Sequence, residues 1–137
     1  MTDREMVVAL LAWLQARGVG TYRTDGSVYL ATETGLFYGQ IGPEPNRGVA
    51  LARYDRTDYG QRRDAVRTRR VQAWIRGKPH DTGDADDLAD AVDDALLALS
   101  RTSGINHVGH LSGPALHGSD GNSRSELSLN YSVTLED

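Results

Sequence analysis

The chain has no cysteine, which excludes disulfide frameworks, thiolate nucleophiles and cysteine-based zinc sites. That absence is silent on compartment, because many intracellular proteins also lack the residue. Long apolar runs are missing too. The longest, Val7–Leu14, is far too short to cross a bilayer, so no membrane partner is expected. A secretory leader needs a basic start and a small-residue cleavage site. Asp3, Arg4 and Glu5 before the run, and Gln15-Ala16-Arg17-Gly18 after it, supply neither clearly. Asn130-Tyr131-Ser132 is formally a glycosylation acceptor, but without a leader it carries no weight. Glycine-rich phosphate loops, internal repeats and domain-splitting linkers are also absent, and 137 residues fit one domain, 1–137, with a core of its own.

What is there is ordinary globular composition, 39% hydrophobic and 25% charged, with a net charge of −4 that is unevenly spread. From Arg47 to Lys78 the chain carries Arg47, Arg53, Arg56, Arg62, Arg63, Arg67, Arg69, Arg70, Arg76 and Lys78 against Asp55, Asp58 and Asp64. From Asp81 to Asp94 it carries only aspartates: Asp81, Asp84, Asp86, Asp87, Asp90, Asp93 and Asp94. A basic block beside an acidic helix is the main electrostatic fact.

Thr2-x-x-Glu5 reads as a capping box, and Met6, Val7, Leu10, Leu11 and Leu14 form one apolar stripe. The first helix is therefore expected over residues 3–17, with Gly18 and Gly20 ending it. Thr21–Thr34 is loop-like, with a turn at Asp25-Gly26 and a short extended piece at Val28–Ala31. Leu36–Ile41 and Val49–Tyr54 read as strands. The Gly42-Pro43-Glu44-Pro45-Asn46 turn between them suggests an antiparallel hairpin. Asp55–Arg67 is polar enough to be an exposed loop that orders on assembly, and Thr68–Arg76 alternates as a strand that Gly77-Lys78-Pro79 stops. A second helix spans Asp84–Leu99, burying Ala85, Leu88, Ala89, Val92, Leu96 and Leu99, with its aspartates at the positive end of the helix dipole. Ile105–His117, broken by Gly109, Gly113 and Pro114, is open between strand and loop. Leu127–Leu135 is the clearest strand, entered through a hairpin turn at Ser119-Asp120-Gly121-Asn122. The expected fold is α+β: two helices on a mainly antiparallel sheet, in the order α-β-β-β-α-β-β.

Candidate chemistry is thin. His107, His110 and His117, with His80, are the possible metal ligands, yet strand positions three apart face opposite sides and no helical two-histidine motif is present. They read as surface or turn histidines. Gly118-Ser119-Asp120-Gly121 does not match a nucleophile elbow and is explained by its turn. The aspartate series lacks the loop glycine and closing glutamate of a calcium loop. No metal, cofactor or catalytic residue is expected, and the chain is read as a non-enzyme.

The charged regions suggest assembly instead. If Arg62, Arg63, Arg67, Arg69 and Arg70 of one subunit face Asp84, Asp86, Asp87, Asp90 and Asp94 of the next, the contact is head to tail and can close a ring. The alternative is that the Arg62–Arg70 cluster holds DNA phosphates in a connector or head-completion role.

Several segments together carry a resemblance. They are Gly20-Thr21-Tyr22-Arg23-Thr24-Asp25-Gly26, Gly35-Leu36-Phe37-Tyr38-Gly39, and Pro43-Glu44-Pro45-Asn46-Arg47 leading into Val49-Ala50-Leu51. Val71-Gln72, Arg76-Gly77 and Asp84-Ala85-Asp86-Asp87-Leu88-Ala89-Asp90 follow, then Gly118, Asp120, Asn122, Arg124 and Glu126 before Asn130-Tyr131. In this order they resemble the small minor capsid or tail-terminator proteins of long-tailed actinobacterial phages, over most of the chain. The resemblance implies a virion protein that forms a ring, usually a hexamer, capping the tail tube and docking onto the head connector. Its implied partners are further copies of itself, the major tail tube protein and a head–tail connector or stopper protein. DNA would only pass through the lumen. The implied location is the tail–head junction of the virion, and the host cytoplasm during assembly. The Ile105–His117 stretch departs from the family pattern in its three histidines and extra glycines.

Overall fold

The structure, a computed structural model, describes residues 1–58 and 67–136, of which Arg56–Asp58 are described by backbone alone. It comprises α1 (Asp3–Ala16), β1 (Thr21–Tyr22), β2 (Thr34–Tyr38), β3 (Arg47–Asp58), β4 (Arg67–Pro79), α2 (Thr82–Leu97), β5 (Ser100–Thr102), β6 (Ile105–Ser119) and β7 (Arg124–Leu135). The strands form one sheet in the order β1-β2-β3-β4-β7-β6-β5. All pairs from β3 onward are antiparallel. The α+β expectation holds, with β1 and β5 as short additional strands.

Both helices start where the local chemistry says they must. Thr2 Oγ1 accepts from the Glu5 amide at 3.1 Å, and Glu5 Oε1 accepts from the Thr2 amide at 3.1 Å, so two orphan donors of α1 are satisfied reciprocally. The expected stripe of Met6, Val7, Leu10, Leu11 and Leu14 is fully buried. After the Arg17 cap the chain leaves the helix through Gly18, whose φ of +79° favours glycine. Asp81 caps α2 by accepting from the Asp84 amide, and Ala85, Leu88, Ala89, Val92, Leu96 and Leu99 are buried as expected.

Register explains why one core serves both helices. Val49, Ile75 and Leu127 are aligned across β3, β4 and β7, as are Leu51, Ala73 and Leu129. Side chains aligned across a sheet share a face, and these rows join the helical stripes in one cluster. α1 covers the β1–β3 end and α2 covers β4, β7 and the start of β6. Trp13 Nε1 clasps the helices together by donating to the Ala95 carbonyl at 2.6 Å. Among the described residues the opposite face has no helix, and apart from Trp74 its rows are small or polar: Ala50, Trp74 and Ser128, then Ala52, Gln72 and Asn130.

Four expectations need correcting. β2 and β3 are parallel, not a hairpin, with Thr34 beside Arg47 and Tyr38 beside Leu51. The chain between them runs back along the sheet, held by two buried arginines. Arg76 donates to the carbonyls of Gly42, Pro45 and Asn46 at 2.7–2.9 Å, and Arg124 donates to that of Pro43 at 2.8 Å. The extended piece at Val28–Ala31 joins no strand. β4 continues through Gly77 to Pro79, because α2 packs onto it there: a Cβ at Gly77 would lie 2.6 Å from the Ala85 nitrogen. Strand pairing also reaches Asp58 and resumes at Arg67, inside the loop expected over Asp55–Arg67, whose remainder lies outside the described residues.

Ile105–His117 resolves as a strand, β6. It accommodates its glycines and proline through register shifts at Ile105/His107, His110/Ser112, Ser112/Ala115 and Leu116/Gly118. Asp120 in the following turn accepts from the Asn122 and Arg124 amides and from Arg124 Nε, fixing the β6–β7 hairpin.

Candidate assembly surface

The charged side chains divide into those used inside the subunit and those left outside. Arg69 projects from β4 under the start of α1, where it is 1% exposed and donates to Asp3 Oδ1 at 2.6 Å. Arg53 on β3 shares the same carboxylate, at 3.2 Å from Oδ2. Asp3 therefore does two jobs, since a negative group in a first turn also suits the helix dipole. Arg67 donates to the Met1 carbonyl at 3.0 Å, and Arg70 lies 3.8 Å from Asp55 at the surface. Arg62 and Arg63 lie outside the described residues.

Asp84 is likewise internal, at 8% exposure. Its Oδ2 accepts from Arg47 Nε at 2.8 Å and from the Lys78 amide at 2.8 Å. Burial alone would raise its pKa, but those two bonds and the nearby positive charge outweigh burial and hold the carboxyl below the ordinary range. Arg69 and Asp84 were expected on contact surfaces. Each is instead taken up by a partner inside the subunit, which removes Arg69 from any phosphate-binding patch as well.

Asp86, Asp87, Asp90 and Asp94 are exposed. At 3.6 residues per turn, Asp86, Asp90 and Asp94 fall on one flank of α2 together with Asp93. The direction of that flank is fixed by Asp93, which accepts from the fully buried Tyr131 hydroxyl at 2.8 Å and lies 2.9 Å from His110 Nδ1 on β6. Burial, then the Asp93 bond, pushes the Tyr131 phenol well above its usual range. The acidic flank thus points toward the β5–β6 end of the sheet, away from α1.

The four histidines are exposed, as expected of surface or turn residues. His117 stacks on Trp74 with centroids 4.4 Å apart and lies 2.7 Å from Ser128 Oγ, covering that serine on the helix-free face. Among the described residues, no group of three or more histidine and carboxylate side chains is placed to hold a metal ion.

At the other end of the sheet, α1, β1, β2 and the Arg23–Tyr29 segment enclose an open groove of about 480 Å³. Its walls include Arg4, Val8, Tyr22, Arg23, Tyr29 and Phe37 and, among the described residues, no carboxylate. Arg23 is held there by Glu33 and Ser27, and its guanidinium lies over the Tyr29 ring. Nothing in the sequence pattern marks this groove, because its residues are neither periodic nor clustered in charge.

The family model described as bacteriophage tail terminator protein matches residues 13–137. The chain belongs to that family. It is a structural protein of the phage virion, as the ordered resemblance implied. Among solved structures it is similar to a chain of the "Virion of native gene transfer agent (GTA) particle", with a TM-score of 0.61 and 20% identity. The alignment covers 96% of this chain and 98% of that one, and it shows that the two share a fold. No curated protein matches the chain. In this family member, the acidic flank and the groove are the built features at the two ends of the sheet.

Proposed function

We propose that the chain forms a ring, a hexamer, that caps the finished tail tube of a long-tailed phage and joins it to the head connector or stopper. Membership of the tail terminator family over residues 13–137 carries this reading. On it, the partners are other copies of the chain, the major tail tube protein and the connector, with DNA passing only through the lumen. The protein acts at the tail–head junction, after assembly in the host cytoplasm, and needs no cofactor.

The charge distribution supports a subunit contact. Asp86/Asp90 and Asp90/Asp94 are spaced four apart on α2, so each pair costs a few tenths of a kcal/mol. A cationic neighbour would relieve that repulsion and speed correct encounter more than it adds affinity. Of the residues expected to form the contact, Arg69 and Asp84 are withdrawn, while Asp86, Asp87, Asp90 and Asp94 on the acidic side and Arg62, Arg63, Arg67 and Arg70 on the basic side are kept in this role. Negative-stain imaging of the purified chain tests the reading. Annular particles of one size are expected, and uniform monomers at every soluble concentration would contradict it.

A further inference from the structure

The outer half of β6 is built unlike any other strand in the sheet. From Leu111 to Ser119 every side chain is exposed, although the backbone is paired to β7. β5 covers only its first residues, at Ile105 and His107, so among the described residues the outer edge beyond them has no strand against it. Leu116 is aligned with the buried Leu127 and so lies on the helix-bearing face, past the reach of α2. Leu111 and Leu116 are 43% and 62% exposed. The edge is bulged and contains Pro114, which blunts regular strand addition and leaves side chains to make any contact.

The opposite end of the sheet offers a match. Val28 and Leu30 are 84% and 63% exposed beside the groove at the β1–β2 edge. We infer that the β6 edge of one copy seats against this groove on the next copy, Leu111 and Leu116 meeting Val28 and Leu30. The inference rests on the ring reading and names its contact.

A second copy is the occupant that the charges favour. The acidic flank of α2 points to the β6 end, while the groove presents Arg4, Arg23 beside it being paired with Glu33. One chain thus carries both halves of a complementary pair, at opposite ends of one sheet. Because the halves face away from each other at opposite ends of the sheet, a contact between them is head to tail and leaves each partner one free end.

Because the chain has no cysteine, introduced thiols report this contact alone. Leu30→Cys and Leu116→Cys proteins, each checked for native circular dichroism, are mixed and oxidised. A one-to-one covalent dimer is expected from the mixture, with little from either variant alone. Self-linking of Leu30→Cys as strong as the mixture would indicate a two-fold contact and overturn the inference. Wild-type rings without any link in the mixture would overturn it while sparing the ring reading. A linked mixture from a wild type that never closes rings would sustain the contact and sink the ring. Absence of both would sink both. A Leu111→Asp, Leu116→Asp chain is expected to lose rings. If it keeps its rings but no longer binds tail tubes, the edge belongs to the tube and not to a second copy.

Discussion

Replacing Asp3 by alanine removes the carboxylate that holds Arg69, a guanidinium with 1% exposure, and Arg53 beside it. Breaking a buried pair by removing one partner costs about 3–5 kcal/mol, because the remaining charge is left in a poorly solvated site. Asp3 is itself 21% exposed, so water reaches part of the vacated space and the expected loss falls to about 2–4 kcal/mol. Loss of a first-turn negative charge is already within that range, at about 0.5 kcal/mol. For a domain of this size, about 3–5 °C per kcal/mol gives a fall in Tm of roughly 6–20 °C. Thermal unfolding measures the fall in Tm and urea titration followed by circular dichroism the loss in free energy, with an unchanged slope showing that the unfolded state is not the cause. The Asp3→Ala, Arg69→Met double variant should regain at least half of the loss, since the buried charge itself is gone. A single-variant loss below about 0.5 kcal/mol, or a double variant no more stable than the single, would refute the reasoning.

Tyr131→Phe should cost about 1 kcal/mol in the same titration, because it deletes the bond to Asp93 while keeping the buried ring. Gly77→Ala should destabilise by about 1–3 kcal/mol, since its Cβ would meet the Ala85 nitrogen at 2.6 Å. Gly121→Ala, with nothing within 4 Å, is the matched control and should change Tm little. Asp84 has a pKa lower in the folded than in the unfolded chain, so its contribution is present above the ordinary value of about 3.9 and lost as pH falls through the lower folded value. Stability measured from pH 6 down to about pH 3 should therefore fall less steeply in Asp84→Asn than in wild type. Equal slopes would count against that assignment.

The helices were legible because a helix writes its buried face into local sequence. The Thr2–Glu5 box and the Met6 to Leu14 stripe need nothing from outside the segment. β7 was legible for the same reason, being flanked on both sides and covered by α2, so its alternation is strict. The β2–β3 pairing was not, because its direction depends on Arg76 and Arg124, which hold the Gly42–Asn46 carbonyls from far along the chain. A proline-rich turn looks the same locally whether the chain reverses beside itself or runs back to begin again. β6 escaped the pattern because its outer half buries no side chain, leaving composition unconstrained by a core. On the surface, charge counting found the acidic flank of α2 but could not see that Asp84 and Arg69 have partners inside the subunit. The groove around Arg4 and Arg23 joins α1, β1, β2 and a loop, and only the fold brings those together.

The central claim is that this chain closes a tail tube. Tail tubes assembled without it, incubated with the gold-labelled purified chain and imaged by electron microscopy, test that most directly. The account predicts one annular label at a single end of each tube, and tubes so capped that no longer lengthen when tube protein is added. Label scattered along the tubes, or capped tubes that continue to grow, would contradict it.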